Sequence, residues 1–209
     1  MELSKTLQEY LDELSSNSPT PGGGNVSALC AALASSLGTM VCNLTIGKKK
    51  YADVESEMIE IKVKMDEFKR KFIDLAQKDN QAFDQVMEAF RLPKDTDEEK
   101  TARAEKIEEA TYKAAEVPAE VINTCAQVVP YIKTIVDKGN KNSLSDAGVA
   151  ALLLTTAAQG AFLNVLINCS ALKNQAMADE LLLSAETAGN EVKTAGDIIA
   201  DNIKKELRQ

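Results

Sequence analysis

Apolar residues recur along this chain at helical intervals and almost never in the strict alternation of a strand. Leu3, Leu7, Leu11 and Leu14 outline a short amphipathic helix. The string SSNSPTPGGGN then breaks it with prolines and three consecutive glycines. A helix of very small residues follows over about 26–46. There Ser27, Ala31, Ala34 and Gly38 allow another backbone to approach closely. The clearest pattern comes next. Val54, Met58, Ile61, Met65, Phe68, Phe72 and Leu75 alternate steps of four and three, and Ala82, Val86 and Ala89 continue them. The pattern predicts one long helix with a heptad-like buried seam, ending near Leu92 and Pro93.

Thr96 and Glu99 have the spacing of a capping box and start the next helix. Pro118 is placed to open a further one, Pro130 to kink it and Gly139 to cap its end. A long apolar helix covers 143–172, and an amphipathic one runs to Leu207. The expected fold is all-α: an up-and-down helical bundle with long central helices, in a single domain spanning 1–209.

The 143–172 stretch is long enough to span a bilayer. Asp146, Gln159, Asn164 and Asn168 interrupt it, however, and no aromatic belt or positive flank frames it. A central helix of a soluble bundle is the reading taken, with no membrane partner. Two such apolar helices leave a monomer short of polar surface, so a homodimer is expected. A formal net charge of -8 without a long basic run argues against nucleic acid. Cys30, Cys42, Cys125 and Cys169 are scattered singly through apolar segments, as free thiols in a reducing cytoplasm would be. The acidic first helix lacks the continuous apolar stretch of a signal peptide, so a cytoplasmic location is expected.

The chain contains no histidine. Ser-His-Asp and Cys-His devices and histidine-ligated metals are therefore excluded, and with the cysteines dispersed no metal is expected. Proton transfer must fall to carboxylates, Lys, Cys, Tyr or water. The heptad steps call for an apolar residue at position 79, and Asp79 stands there. A carboxylate on a buried seam is costly unless bonded or useful, and its raised pKa suits a general acid or base. The competing reading is a polar residue that fixes helix register. Asn140, Asn142, Ser143, Ser145 and Asp146 gather where the 143–172 helix begins, and Asn164 and Asn168 share one of its faces. They could meet an anionic or polar ligand, cap the helix, or bond its neighbours. Gly22, Gly23 and Gly24 lead into a helix without the lysine and hydroxyl residue of a P-loop, leaving a ligand-approach loop or a plain turn. Lys48, Lys49 and Lys50 form a short basic cluster that is either an anion site or a solvated surface.

Four strings, SPTPGGGNVSAL, GTMVCNLTIGKKKY, DNQAFDQVMEAFRLPK and NSLSDAGVAALL with the later GAFLNVLINC, resemble the cyclodeaminase/cyclohydrolase family. The resemblance covers nearly the whole chain. It implies an all-helical dimeric unit with a tetrahydrofolate derivative bound near the subunit contact, and it implies that Asp79, which heads D-x-x-A-F, is catalytic. One family reaction hydrolyses 5,10-methenyltetrahydrofolate to 10-formyltetrahydrofolate. The other closes 5-formiminotetrahydrofolate to the methenyl compound and releases ammonia. Neither needs a metal or redox cofactor. On this resemblance Asp79 is the expected base. Asp146 with Asn140, Asn142, Ser145, Asn164 and Asn168 would hold the pterin, and the glycines and lysines would meet a glutamate or polyglutamate tail. The absence of a formiminotransferase domain in the sequence favours the cyclohydrolase. The cyclodeaminase and a non-catalytic folate-binding protein are the alternatives.

Overall fold

A computed structural model describes residues 5–208; Leu3 of the first helical pattern lies outside them. Among the described residues six α-helices and two short 3-10 turns occur, and no strand. The helices are α1 (Leu7–Leu14), α2 (Gly23–Thr45), α3 (Glu55–Phe90), α4 (Asp97–Lys138), α5 (Leu144–Ser170) and α6 (Gln175–Glu206). The 3-10 turns, Lys49–Tyr51 and Lys141–Ser143, lead into α3 and α5.

The α3 seam is as the periodicity predicts, with Met58, Ile61, Met65, Phe72, Leu75, Ala82 and Ala89 buried. It packs against α2, whose Gly38 lies under the Met65 side chain, with a glycine-sized gap between them. Cross-links fix the directions of the chain. Asn25 reaches Ala76 and Thr39 reaches Asp66, so α2 and α3 are antiparallel. Glu57 with Lys138, and Lys71 with Glu120, set α4 antiparallel to α3. Gly23 beside Asn164, with Asn140 bonded to Leu44 O, sets α5 antiparallel to α2. The long helices thus alternate in direction around one apolar core.

Two expectations need correcting. The chain 97–138 is one helix, not two, and Pro118 and Pro130 lie inside it. Pro118 lacks the N–H that would bond the Ala114 carbonyl one turn back. Asn168 of α5 supplies the missing donor, its Nδ2 lying 3.0 Å from Ala114 O. Downstream, Thr134 donates its hydroxyl to Pro130 O at 3.1 Å. The second correction concerns α2, which begins at Gly23 rather than near Val26, so two of the three glycines lie in a helical turn.

Both α2 and the 141–170 segment are long and apolar enough to cross a membrane. Both are packed in the bundle, where α2 contacts α3 and α5, and α5 contacts α2, α4 and α6. Each nevertheless leaves an apolar face uncovered: Leu33 and Leu44 on α2, and Val149, Leu152, Leu163 and Ile167 on α5, are all at least 41% exposed. No charged residue occurs in α2, and Asp146 is the one charge in α5.

Candidate active site at the start of α2

The first turn of α2 has free N–H groups, and its N-cap, Gly22, has no side chain to receive them. The acceptor comes from another helix. Asp79, on the α3 seam, directs its carboxylate at this turn, where the backbone N–H of Asn25 favours its charged form. The approach is so close that a Cβ on Gly24 would overlap Asp79 Oδ1 and lie 2.7 Å from the carboxyl carbon. Glycine is required at position 24 by this contact; any side chain there displaces the carboxylate.

Opposing influences act on Asp79. Burial raises its pKa above the usual carboxylate value, and the Asn25 N–H pulls in the other direction. Burial is the larger cause, so the carboxyl holds its proton more tightly than a free one does. A carboxylate moved toward neutrality is a stronger base and remains a usable acid.

A small network supports this turn. Asn25 is fully buried. Its amide donates to Ala76 O at 2.7 Å and to Asn80 Oδ1 at 3.2 Å, and it accepts from the Tyr10 hydroxyl at 2.9 Å. On the opposite side Asn164 of α5 packs on Gly23, its Nδ2 being 3.3 Å from where a Cβ would stand. Asp79, Gly22, Gly23, Gly24 and Asn164 therefore meet at one end of the α2–α5 pair.

The other expected residues lie elsewhere. Lys48, Lys49 and Lys50 are exposed beyond the C-terminus of α2. Asn140 is tied to the same end by Nδ2 to Leu44 O at 2.8 Å, and its N–H donates to Thr45 Oγ1 at 2.9 Å. The Lys141 N–H meets the Tyr51 hydroxyl at 3.0 Å, joining the lysine turn to the start of α5. Asn142, exposed Ser145 and half-buried Asp146 follow directly. A helix of 23 residues, about 34 Å long, separates this cluster from Asp79. Asn168 joins neither cluster; its amide serves the carbonyl freed by Pro118.

Among the described residues no three His, Cys, Asp or Glu side chains gather as metal ligands. An apolar cavity of about 760 Å³ lies between α4 and the start of α6 beside Tyr112, Leu172 and Met177, and none of the expected residues lines it. A polar cavity of about 380 Å³ borders Tyr10, Pro21 and Asn80, next to the Asp79 turn. The sequence reading missed Tyr10 and Asn80 altogether and treated Asn25 only as the end of the glycine string. Tyr10 carried one signal, a phenol on the first helix whose partner no local pattern could name.

The described residues form an all-helical bundle with a carboxylate held against a glycine turn, a histidine-free candidate for acid–base chemistry. A family model described as formiminotransferase-cyclodeaminase matches residues 6–187, and the chain belongs to that family. It is 40% identical to a methenyltetrahydrofolate cyclohydrolase of Methylorubrum extorquens, over 97% of this chain and 98% of that protein. It is 31% identical to a formimidoyltransferase-cyclodeaminase of Sus scrofa, again over 97% of this chain but only 37% of the longer protein. Among solved structures, the formiminotetrahydrofolate cyclodeaminase of Thermotoga maritima superimposes with a TM-score of 0.86 at 31% identity, covering 98% of each chain.

Proposed function

We propose that this protein is a one-carbon folate enzyme that hydrolyses 5,10-methenyltetrahydrofolate to 10-formyltetrahydrofolate, with Asp79 as the general base. The observation that carries the base assignment is the Asp79 carboxylate, half-buried against the first turn of α2 with its pKa raised. The choice of reaction rests on likeness. The Methylorubrum extorquens cyclohydrolase is the more similar of the relatives compared above, and it matches end to end. A chain of this length does not decide the reaction, because the Thermotoga maritima cyclodeaminase has the same extent.

In this reading water adds to the carbon bridging N5 and N10, and Asp79 takes its proton as the C–O bond forms. The cationic methenyl group becomes a neutral hydroxyl adduct. The C–N5 bond then breaks as the hydroxyl proton is lost and N5 gains one, leaving the formyl group on N10. One proton is released overall, and no metal or redox cofactor takes part. In the cyclodeaminase reaction the same carboxyl would move protons at the same tetrahedral carbon while ammonia leaves, so the site serves either chemistry.

The working unit in this reading is a cytoplasmic homodimer. The apolar face of α2 and α5 lies between the Asp79 end and the lysine end. A two-fold axis crossing the middle of that face packs the pair antiparallel on its copy and sets the Asp79 end of one protomer beside the lysine end of the other. One folate could then present its pterin and bridging carbon to Asp79, and its glutamate or polyglutamate tail to the partner's lysine end. Asp146, Asn142 and Ser145 would border that end of the site.

Assaying the purified protein with methenyl- and formiminotetrahydrofolate tests the choice of reaction; faster turnover of the formimino compound reverses it. Asp79→Asn keeps the acceptor for the Asn25 N–H and removes the titrating group. It is expected to lower turnover about 10²- to 10⁴-fold, the usual worth of a general base, while the protein stays folded. Near-normal turnover in this variant would make Asp79 a packing residue.

A further inference from the structure

Asp79 is aimed by a group it touches only through the backbone. Its carboxylate lies against Gly24 and is stabilised by the Asn25 backbone N–H, and the Asn25 side chain clamps that turn to α3. The clamp reaches residues 76 and 80, which bracket Asp79 on its own helix. Its polarity is fixed. Ala76 O can only accept, so the Asn25 amide nitrogen must face it, and Asn25 Oδ1 must face Tyr10. Tyr10 then has to donate, which ties α1 to the junction of α2 and α3. The α2 turn that receives the carboxylate and the α3 turn that carries it are thereby held as one unit.

We infer that Asn25 and Tyr10 are positioning residues for Asp79: the buried Tyr10–Asn25–Ala76 chain of hydrogen bonds fixes the α2 turn against which the catalytic carboxylate is aimed. The inference rests on the reading of Asp79 as the base. Both residues act through the placement of another group and neither needs to touch the substrate, so their loss should appear in kcat rather than in KM.

The experiment is a double-mutant cycle on the full-length protein, with methenyltetrahydrofolate hydrolysis as the readout. Asn25→Asp keeps the size but sets an acceptor against Ala76 O. It should lower kcat about 10- to 100-fold, as expected when a reacting group is misplaced by about an ångström, and leave KM within about two-fold. Placed on Asp79→Asn, the same change should cost less than about two-fold, because the group it aims is already disabled. Equal losses in both backgrounds, or a change confined to KM, would overturn the inference. Should Asn25→Asp fail to fold, Tyr10→Phe takes its place. It removes one hydroxyl, leaves Asn25 bonded to α3, and should lower kcat a few-fold at unchanged KM; an unaltered kcat sinks the proposal. If Asp79→Asn alone retains turnover, the reading of Asp79 as base fails instead, and the two failures are distinct.

Discussion

The two ends of the α2–α5 pair are built to opposite specifications. At the Asp79 end several polar side chains are paired within the chain, Asn25 with Tyr10 and Ala76 and Asn164 with Gly160 O, while the Asp79 carboxylate faces the first turn of α2. Small residues bring backbones together so tightly that one added methyl overlaps the carboxylate. At the other end Lys49 and Lys50 stand exposed on a 3-10 turn capped by exposed Lys48, and Lys50 Nζ lies 5.4 Å from the ring centre of Tyr51. The first arrangement fixes one carboxylate in one place. The second offers positive charge without a fixed geometry, which suits a flexible anionic tail better than a reacting carbon. Fixed geometry matters where bonds change, and long-range attraction is enough where a ligand is only held.

The largest test of this contrast is Gly24→Ala. Alanine is a better helix residue than glycine, so intrinsic propensity predicts a slightly more stable helix. The added Cβ cannot coexist with Asp79 Oδ1 in its present position. Turnover should fall on the order of 10²-fold, as it does when a reacting group is displaced by about an ångström. Thermal melts and steady-state kinetics on one preparation check it. A variant with full activity would show that the carboxylate need not sit where it does.

Next is the face that joins the ends. Leu163, next to Asn164, is 66% exposed near the Asp79 end of the uncharged strip. Leu163→Glu should shift the protein to a 22.6 kDa species in sedimentation. Activity should fall with the dimer while far-ultraviolet circular dichroism is unchanged. If the wild type itself sediments as a monomer and is fully active, the composite site is wrong and the two ends work apart.

How much of this was readable beforehand depended on whether the cause was local. Asp79 stood out because the steps of four and three gave position 79 an expected character that it breaks. The all-helical outline followed from the same periodicity, except that 97–138 was divided into two helices where the structure has one. Pro118 misled because a proline marks a helix start when its missing N–H is the only consideration. The structure repairs the helix with an amide fifty residues away. The same distance effect miscast Asn168, whose spacing from Asn164 shows that the two share a face but not which neighbour each meets. The glycines read as a loop because their propensity is poor, while the carboxylate that receives the turn's N–H comes from α3. The spacing of Asn140 and Asn164 along one predicted helix, about 36 Å at about 1.5 Å per residue, already set them too far apart to share one ligand ring.

That repair is measurable. Removing the Asn168 amide leaves the Ala114 carbonyl without its donor inside a packed helix pair. Asn168→Ala should therefore cost about 1–3 kcal/mol of stability. Pro118→Ala restores a backbone N–H aimed at that carbonyl, so Asn168→Ala should cost clearly less in the Pro118→Ala background. Urea denaturation of the four proteins gives the coupling directly. Additive effects would mean that the 3.0 Å contact contributes nothing to the helix. Turnover should change little in any of the four, because this contact belongs to neither end.

The smallest effect is expected at the lysine end. Lys48, Lys49 and Lys50 are exposed, so each contributes only a screened attraction to a nearby carboxylate. Replacing all three by glutamine should leave kcat unchanged, because the geometry around Asp79 is set about 34 Å away within the protomer. It should raise KM a few-fold for a polyglutamylated folate and hardly at all for the monoglutamate. Added salt should narrow the difference between wild type and variant, since ions screen exposed charges within about 10 Å at 0.1 M. Equal effects on both substrates would make the lysines a solvated surface. A fall in kcat would be more informative still, because it would show that the lysine end reaches the reacting carbon and that the division between the two ends is wrong.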